Sequence, residues 1–140
     1  MKDKPESYWR EKLTPEQYRL LREAGTETPG TGLYVDNHED GMYHCAACGR
    51  QLFASDTKFE STMPGLVGWP AFYAEAAEGN VELRDDTRLG MHRTEIICAN
   101  CGSHLGHLFT DDPAAKGGLH YCVNSAALAF DPNKAKTDDN

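Results

Sequence analysis

The sequence lacks the features of several protein classes. No apolar run approaches the roughly 20 residues of a membrane-spanning helix, and the opening MKDKPESYWR has no apolar stretch typical of a secretory signal. Basic residues are few: 14 Lys and Arg stand against 22 Asp and Glu, a formal net charge of -8. Nucleic acids and anionic membranes attract basic surfaces, so neither is expected as a partner. We expect a cytoplasmic protein, with a monomer as the default state.

The N-terminal part of the chain carries helix signals. In TPEQYRLLREAG, Thr14 is placed as an N-cap, Pro15 as the first helical residue and Gln17 for a capping box. Gly25 is placed as the C-cap of this helix. The preceding ESYWREKL predicts a shorter helix. We therefore expect residues 1–32 to form a helical segment packed on the rest of the domain.

From Leu33 onward, short apolar and alternating segments predict strands. GLYV and GMYHC flank DNHED and predict a hairpin, while HRTEIIC, SHLGHLF, LHYCV and AALAF predict further strands. The polar end DPNKAKTDDN has no apolar anchor. The length of 140 residues suits one domain. The prediction is a mainly antiparallel β domain over residues 33–130, followed by a disordered tail over residues 131–140.

Four of the five cysteines form two Cys-x-x-Cys pairs, Cys45 with Cys48 and Cys98 with Cys101. This spacing places two sulfurs on one tight turn, as two corners of a tetrahedral zinc site require. Two such turns in one small domain predict one structural Zn²⁺ per chain. Two redox-active dithiols, or unrelated buried cysteines, are the alternatives.

The surroundings of the two pairs fit a structural metal. Gly49 and Gly102 follow the pairs, where we expect a glycine to let backbone N–H groups approach the thiolates. About 50 residues separate the pairs, so a shared ion would close a long loop. Because cysteine supplies all four ligands, no coordination position is open to a substrate.

The fifth cysteine, Cys122, lies in GGLHYCVNS. In a strand, His120, Cys122 and Asn124 would share one face. Such a face is unusual for a core, and it suits a thiol that must be ionised and must handle a polar substrate. The structural alternative is a buried free cysteine that packs as a small hydrophobic residue.

Two further segments carry candidate site residues. SHLGHLF contributes His104 and His107, which can exchange protons near neutral pH, although either can be a structural histidine instead. GWPAF contributes Trp69, for which core packing is the alternative.

In their order along the chain, several segments resemble the B-type methionine sulfoxide reductases, which act on the R epimer. They extend from about Leu33 to Phe130 and comprise YHCAACGRQLF, TKFES, GWPAF, GMHRTEIICANCGSHLGHLF and KGGLHYCVNSAAL. The resemblance implies two antiparallel β-sheets clamped by a zinc site of four cysteines, with small N-terminal helices. It also implies reduction of methionine-R-sulfoxide, mainly in oxidised proteins and peptides, to methionine as a protein-repair reaction.

The resemblance assigns a role to each matching residue. Cys122 matches the catalytic cysteine, whose thiolate attacks the sulfoxide sulfur and becomes a sulfenic acid. Trp69 matches the aromatic residue that packs against the S-methyl group of the substrate. His104, His107 and Asn124 match polar residues that line the active site and organise the sulfoxide oxygen.

The chain departs from the family pattern at two places. Many relatives carry a resolving cysteine in an SGCGWP-like turn, whereas STMPGLVGWP has Val67 there and a four-residue insertion within residues 62–67. An external thiol, thioredoxin or glutathione with glutaredoxin, is therefore expected to regenerate the enzyme. His120 stands where relatives usually have arginine, two residues before the catalytic cysteine, and we expect it to contact the substrate. A histidine there would make any effect on Cys122 ionisation depend on pH.

Two rival functions remain open from the sequence. A zinc-ribbon interaction module accounts for the paired cysteines but leaves Cys122 and Trp69 unused. A zinc-clamped thiol peroxidase or general thiol oxidoreductase would use Cys122 on another substrate. Turnover of methionine-R-sulfoxide separates the three.

Overall fold

The computed structural model describes residues 4–28, 30, 32, 34–35, 37–61, 67–77, 79–87, 93–110 and 112–132. Residues 62–66, which include the insertion, and residues 133–140 of the tail lie outside this description. The described residues form two α-helices, α1 (Glu6–Lys12) and α2 (Pro15–Arg22). The eight strands are β1 (Met42–Cys45), β2 (Gln51–Ala54), β3 (Ala71–Phe72), β4 (Val81–Asp86), β5 (Arg93–Cys98), β6 (His104–Phe109), β7 (His120–Val123) and β8 (Leu128–Asp131).

Both predicted helices form, and α2 begins as its sequence predicts. Thr14 Oγ1 accepts from the Gln17 backbone N–H at 3.1 Å, and Gln17 Oε1 accepts from the Thr14 N–H at 3.1 Å. The predicted C-cap is wrong, because the cap is Glu23 and Ala24 takes the left-handed φ of 56°. The chain has thus already turned when it reaches Gly25. Neither helix, nor any other in the described part of the chain, is long and apolar enough to cross a membrane.

The strands form two antiparallel sheets, which confirms the predicted fold class. One sheet has the order β2-β1-β8, and the other has the order β3-β7-β6-β5-β4. The predicted hairpin between GLYV and GMYHC is wrong. Tyr34 and Val35 lie in a turn, and β1 pairs with β2 and with the distant β8. Local alternation identified a strand here but not its partners.

An aromatic core joins the sheets and the helices. The rings of Phe53 and Phe72 stack with centroids 4.5 Å apart, and Tyr43 meets Phe72 edge-on at 5.1 Å. From the helices, Trp9 and Leu21 are buried in the same core. The helical segment therefore packs on the β domain, although the exact division into 1–32 and 33–130 stays a prediction.

The pairing of β5, β6 and β7 positions the candidate site. His107 lies opposite Cys122 on one side and opposite Glu95 on the other. Directly opposite residues in an antiparallel pair have neighbouring side chains. Gly106 permits this arrangement, because a Cβ atom at that position would overlap the backbone carbonyl of Cys122. The sheet thus aligns a carboxylate, an imidazole and a thiol across three strands.

Candidate functional site

The four paired cysteines meet in one cluster. Cys45 Sγ lies 3.8 Å from Cys101 Sγ, Cys48 Sγ lies 3.5 Å from Cys98 Sγ, and all four sulfurs lie within 4.8 Å of one another. Ligand sulfurs of a tetrahedral zinc site are about 3.8 Å apart. The cluster therefore fits a tetrahedral metal ion. Because Cys45 ends β1 and Cys98 ends β5, an ion there would connect the two sheets.

The glycines after the pairs close the two turns. Gly49 and Gly102 have φ values of 85° and 79°. Their N–H groups donate to the carbonyl oxygens of Cys45 and Cys98, each at 2.8 Å, and not to the thiolates. The left-handed conformation, which glycine adopts without strain, is what closes each turn.

The second cysteine pair also has a link to α2. Arg22 Nη1 donates to the carbonyl oxygen of Cys101 at 3.1 Å and to Ser103 Oγ at 3.0 Å. Ser103 Oγ lies 3.1 Å from Cys101 Sγ. A guanidinium and a hydroxyl therefore lie beside the sulfur cluster, where they hold the backbone and the sulfur of Cys101 in place.

A separate cleft of about 110 Å³ contains the other candidate residues. Five of the six predicted residues line it: Cys122, His104, His107, Trp69 and Asn124. The sixth, His120, does not line it.

Each cleft histidine is held by a buried carboxylate. His104 Nδ1 donates to Glu95 Oε2 at 2.6 Å, and His107 Nε2 donates to Asp86 Oδ2 at 2.7 Å. The two rings meet edge-on, with centroids 5.3 Å apart. Burial lowers the pKa of His107, although Asp86 opposes this shift. His107 is therefore neutral at pH 7, with Nδ1 as its proton-accepting atom.

Cys122 is free, partly exposed and outside the metal cluster. Burial of its sulfur raises the pKa of the thiol from 9.0 to about 12. In the substrate-free protein Cys122 is therefore a thiol at neutral pH, which differs from the expectation that it is ionised in advance. Its place in a cleft beside two histidines also differs from that of an inert core cysteine.

The polar atoms of Trp69 and Asn124 bond to one N-terminal segment. Trp69 Nε1 donates to the carbonyl oxygen of Glu27 at 2.8 Å. Asn124 Oδ1 accepts from the Glu27 N–H at 3.1 Å, and Asn124 Nδ2 donates to the carbonyl oxygen of Gly25 at 3.1 Å. The orientation of both side chains therefore depends on residues 25–27.

His120 is 0% exposed. Its Nδ1 donates to Asp112 Oδ2 at 2.8 Å, and its ring lies edge-on to Phe59 and Phe109, with centroid distances of 5.2 and 6.0 Å. Burial lowers the pKa of His120, although Asp112 opposes the shift. A fully buried ring does not reach substrate, so the substrate contact expected for His120 is not seen. Its link to the cleft is indirect, through Phe109.

Sequence reasoning missed several residues of the site. Thr26, Arg93 and Phe109 also line the cleft, and Arg93 Nη2 lies 3.5 Å from Asp86 Oδ2. The alternation in HRTEIIC places Arg93 and Glu95 on one face, which was a usable signal. No comparable pattern in the sequence predicts Thr26, because it reaches the cleft from a loop far away in sequence.

The cleft and the sulfur cluster together define a class of protein: a β domain with a free cysteine beside two histidines in a cleft, and a separate cluster of four cysteines that could hold a metal ion. Comparison with known proteins identifies the family. A family model described as SelR domain matches residues 13–132. The chain therefore belongs to the SelR-domain family, which is that of the B-type methionine sulfoxide reductases, and the resemblance seen in the sequence is confirmed.

Individual relatives agree with this assignment. A protein named peptide methionine sulfoxide reductase MsrB from Leifsonia xyli subsp. xyli (strain CTCB07) is 54% identical over 129 residues, which cover 92% of this chain and 90% of the relative. A protein of the same name from Methanosarcina barkeri is 51% identical over 91% of this chain and 87% of its own length. Another, from Leptospira interrogans, is 51% identical over 91% of this chain and 94% of its own length.

Proposed function

We propose that this protein is a peptide-methionine (R)-S-oxide reductase, with Cys122 as the attacking sulfur and oxidised proteins and peptides as substrates. The observation that carries the proposal is the direct cross-strand pairing of Cys122 with His107 in a cleft that Trp69 also lines. The names of the relatives, which the chain matches over nearly all its length, support the same reaction.

The first step transfers one oxygen atom. The oxygen of a sulfoxide is a poor leaving group until it is hydrogen-bonded or protonated, and His104 and His107 are the proton-exchanging groups of the cleft. Cys122 sulfur attacks the sulfoxide sulfur as its own proton moves, through a histidine, to the sulfoxide oxygen. The new bond between the two sulfurs and the sulfur–oxygen bond of the substrate then break as the oxygen bonds to Cys122 sulfur, and methionine leaves. Cys122 is oxidised to a sulfenic acid that carries both the oxygen and the proton.

Trp69 accounts for substrate selection. Its indole N–H is fixed on the Glu27 carbonyl, so the ring presents a fixed apolar wall to the cleft. We propose that the S-methyl group packs on this wall, which determines the face of the chiral sulfur that meets Cys122. Asn124 lines the same cleft and is proposed to help organise the sulfoxide oxygen.

The sulfur cluster is proposed to hold one zinc ion. Zinc there supplies a crosslink between the sheets and no chemistry, because cysteine fills all four positions. Cys45, Cys48, Cys98 and Cys101 are the ligands, and the links from Arg22 and Ser103 to Cys101 orient one of them.

Regeneration is proposed to use an external reductant. Two equivalents of a thiol, from thioredoxin or from glutathione with glutaredoxin, convert the sulfenic acid to a thiol, a disulfide and water. Val67 is exposed and stands where relatives have a resolving cysteine, and the other four cysteines are committed to the cluster. A cytoplasmic location and a monomeric state stay predictions.

Epimer-resolved turnover of dabsylated methionine sulfoxide with dithiothreitol tests the function. The wild type should consume the R epimer, and Cys122→Ser should be folded, zinc-loaded and inactive. Consumption of hydrogen peroxide in place of the sulfoxide would favour a thiol peroxidase. An absence of thiol chemistry in a folded, zinc-loaded protein would favour an interaction module.

A further inference from the structure

We propose that Glu27 is a positioning residue for the cleft: its buried carboxylate fixes a loop whose backbone orients both Trp69 and Asn124. The consequence for turnover rests on the proposed function, whereas the positioning itself does not. Glu27 is 5% exposed and does not line the cleft, so any effect on substrate acts through its neighbours.

The carboxylate is anchored to the turn that follows the Cys122 strand. Glu27 Oε1 accepts from the Ser125 N–H at 2.8 Å, and Oε2 accepts from the Ala126 N–H at 3.0 Å. Hydrogen bonds to an ionised acceptor are stronger than neutral ones. Both oxygens are thus engaged immediately after β7.

The backbone of the same residue bonds to two cleft side chains. The Glu27 N–H donates to Asn124 Oδ1 at 3.1 Å, and the Glu27 carbonyl accepts from Trp69 Nε1 at 2.8 Å. The segment has no helix or strand of its own, since it follows α2 as an irregular loop. Its position therefore depends strongly on the carboxylate anchor. The Glu27 side chain thus holds the loop against the turn after β7, and the loop backbone in turn holds Trp69 and Asn124.

Glu27→Gln is the sharpest test, because it preserves shape and removes one acceptor. One oxygen remains, while the new NH₂ group faces a backbone N–H donor. With the loop displaced, the Trp69 indole loses its acceptor and the substrate methyl loses its wall. We expect KM for methionine-R-sulfoxide to rise about fivefold, as expected for one net hydrogen bond, with a smaller effect on kcat. Glu27→Ala should raise KM further.

A matched control is Glu75→Gln. Glu75 Oε1 likewise accepts a backbone N–H, that of Val81 at 3.1 Å, and Glu75 does not line the cleft either, but this hydrogen bond leads to β4 and not to Trp69 or Asn124. Both Gln variants should lose some thermal stability. Only Glu27→Gln should raise KM, and a purely structural role would leave KM in the two variants alike.

Nuclear magnetic resonance of the indole N–H groups reports the positioning without turnover. The protein has two tryptophans, so two indole signals are expected, and Trp69→Phe assigns them. Glu27→Gln should shift the Trp69 signal and leave the Trp9 signal in place. An unchanged Trp69 signal would overturn the positioning role, even if the wild type proved inactive. A shifted signal with unchanged KM in an active enzyme would overturn the link to substrate binding. If Glu27→Ala does not fold, Glu27→Gln decides both.

Discussion

The raised pKa of Cys122 gives a quantitative prediction for its reactivity. Burial moves the pKa from 9.0 to about 12. Such a shift lowers the thiolate fraction at pH 7 by about a thousandfold relative to an unperturbed cysteine. Because the thiolate is the form that reacts with alkylating agents, iodoacetamide should modify Cys122 about a thousandfold more slowly than a cysteine in a short peptide.

The pH dependence of alkylation separates ionisation from access. Mass spectrometry of the Cys122 peptide, in the zinc-loaded protein without substrate, gives the rate at each pH. The rate should rise about tenfold per pH unit up to at least about pH 10, with no plateau below it. Restricted access alone would lower every rate and leave an inflection near the ordinary pKa. An inflection near pH 7 or 8 would show that the histidines hold a thiolate in advance, and would refute our account of the first step.

Three further predictions concern the same sheet. Gly106→Ala places a methyl group against the Cys122 carbonyl, so it should lower the free energy of unfolding, measured by urea titration, by about 1–3 kcal/mol. It should also remove most of the kcat/KM. Wild-type values of both would show that β6 and β7 can separate without loss. Oxidation by substrate without reductant should leave Cys122 as a sulfenic acid that dimedone traps, and an internal disulfide to Cys122 in the mass spectrum would contradict the external-thiol cycle. Burial lowers the pKa of His120, so below about pH 6.5 the unfolded state binds more protons than the folded state. The free energy of unfolding should therefore decrease as the pH is lowered through this range, by up to about 1.4 kcal/mol per pH unit from this group. His120→Arg should flatten that slope and alter the pH–rate profile in the same acid range, whereas identical slopes and profiles would show that His120 does not titrate on unfolding and has no effect on the cleft.

Local signals in the sequence predicted local features well. The capping box joins residues only three positions apart, so the local sequence predicts it, and α2 begins at the residue that it predicts. The strand at GMYHC was also found. Its partner β8 lies more than 80 residues away, and no alternation pattern encodes such a pairing. The hairpin prediction failed for that reason.

The same distinction applies to the site. The Cys-x-x-Cys spacing predicted a cluster that the structure forms from two distant turns. The polar face shared by His120, Cys122 and Asn124 predicted a functional thiol at Cys122, but the sequence does not tell how deeply a sulfur is buried. The thiol was therefore expected to be ionised, whereas the structure raises its pKa to about 12. Burial was equally unpredictable for His120, which was expected on the same face as Cys122 but is buried as the hydrogen-bond partner of Asp112.

The N-terminal segment takes part in both sites and does more than cover the β domain. At one end Arg22 donates to the carbonyl of Cys101, and at the other Glu27 fixes the turn that follows Cys122. Residues 23–26 are all that separate these two anchors. A displacement of α2 would therefore disturb the metal ligands and the cleft together. Removing residues 1–32 should consequently abolish turnover and weaken zinc retention against a chelator, which a merely peripheral segment would not do.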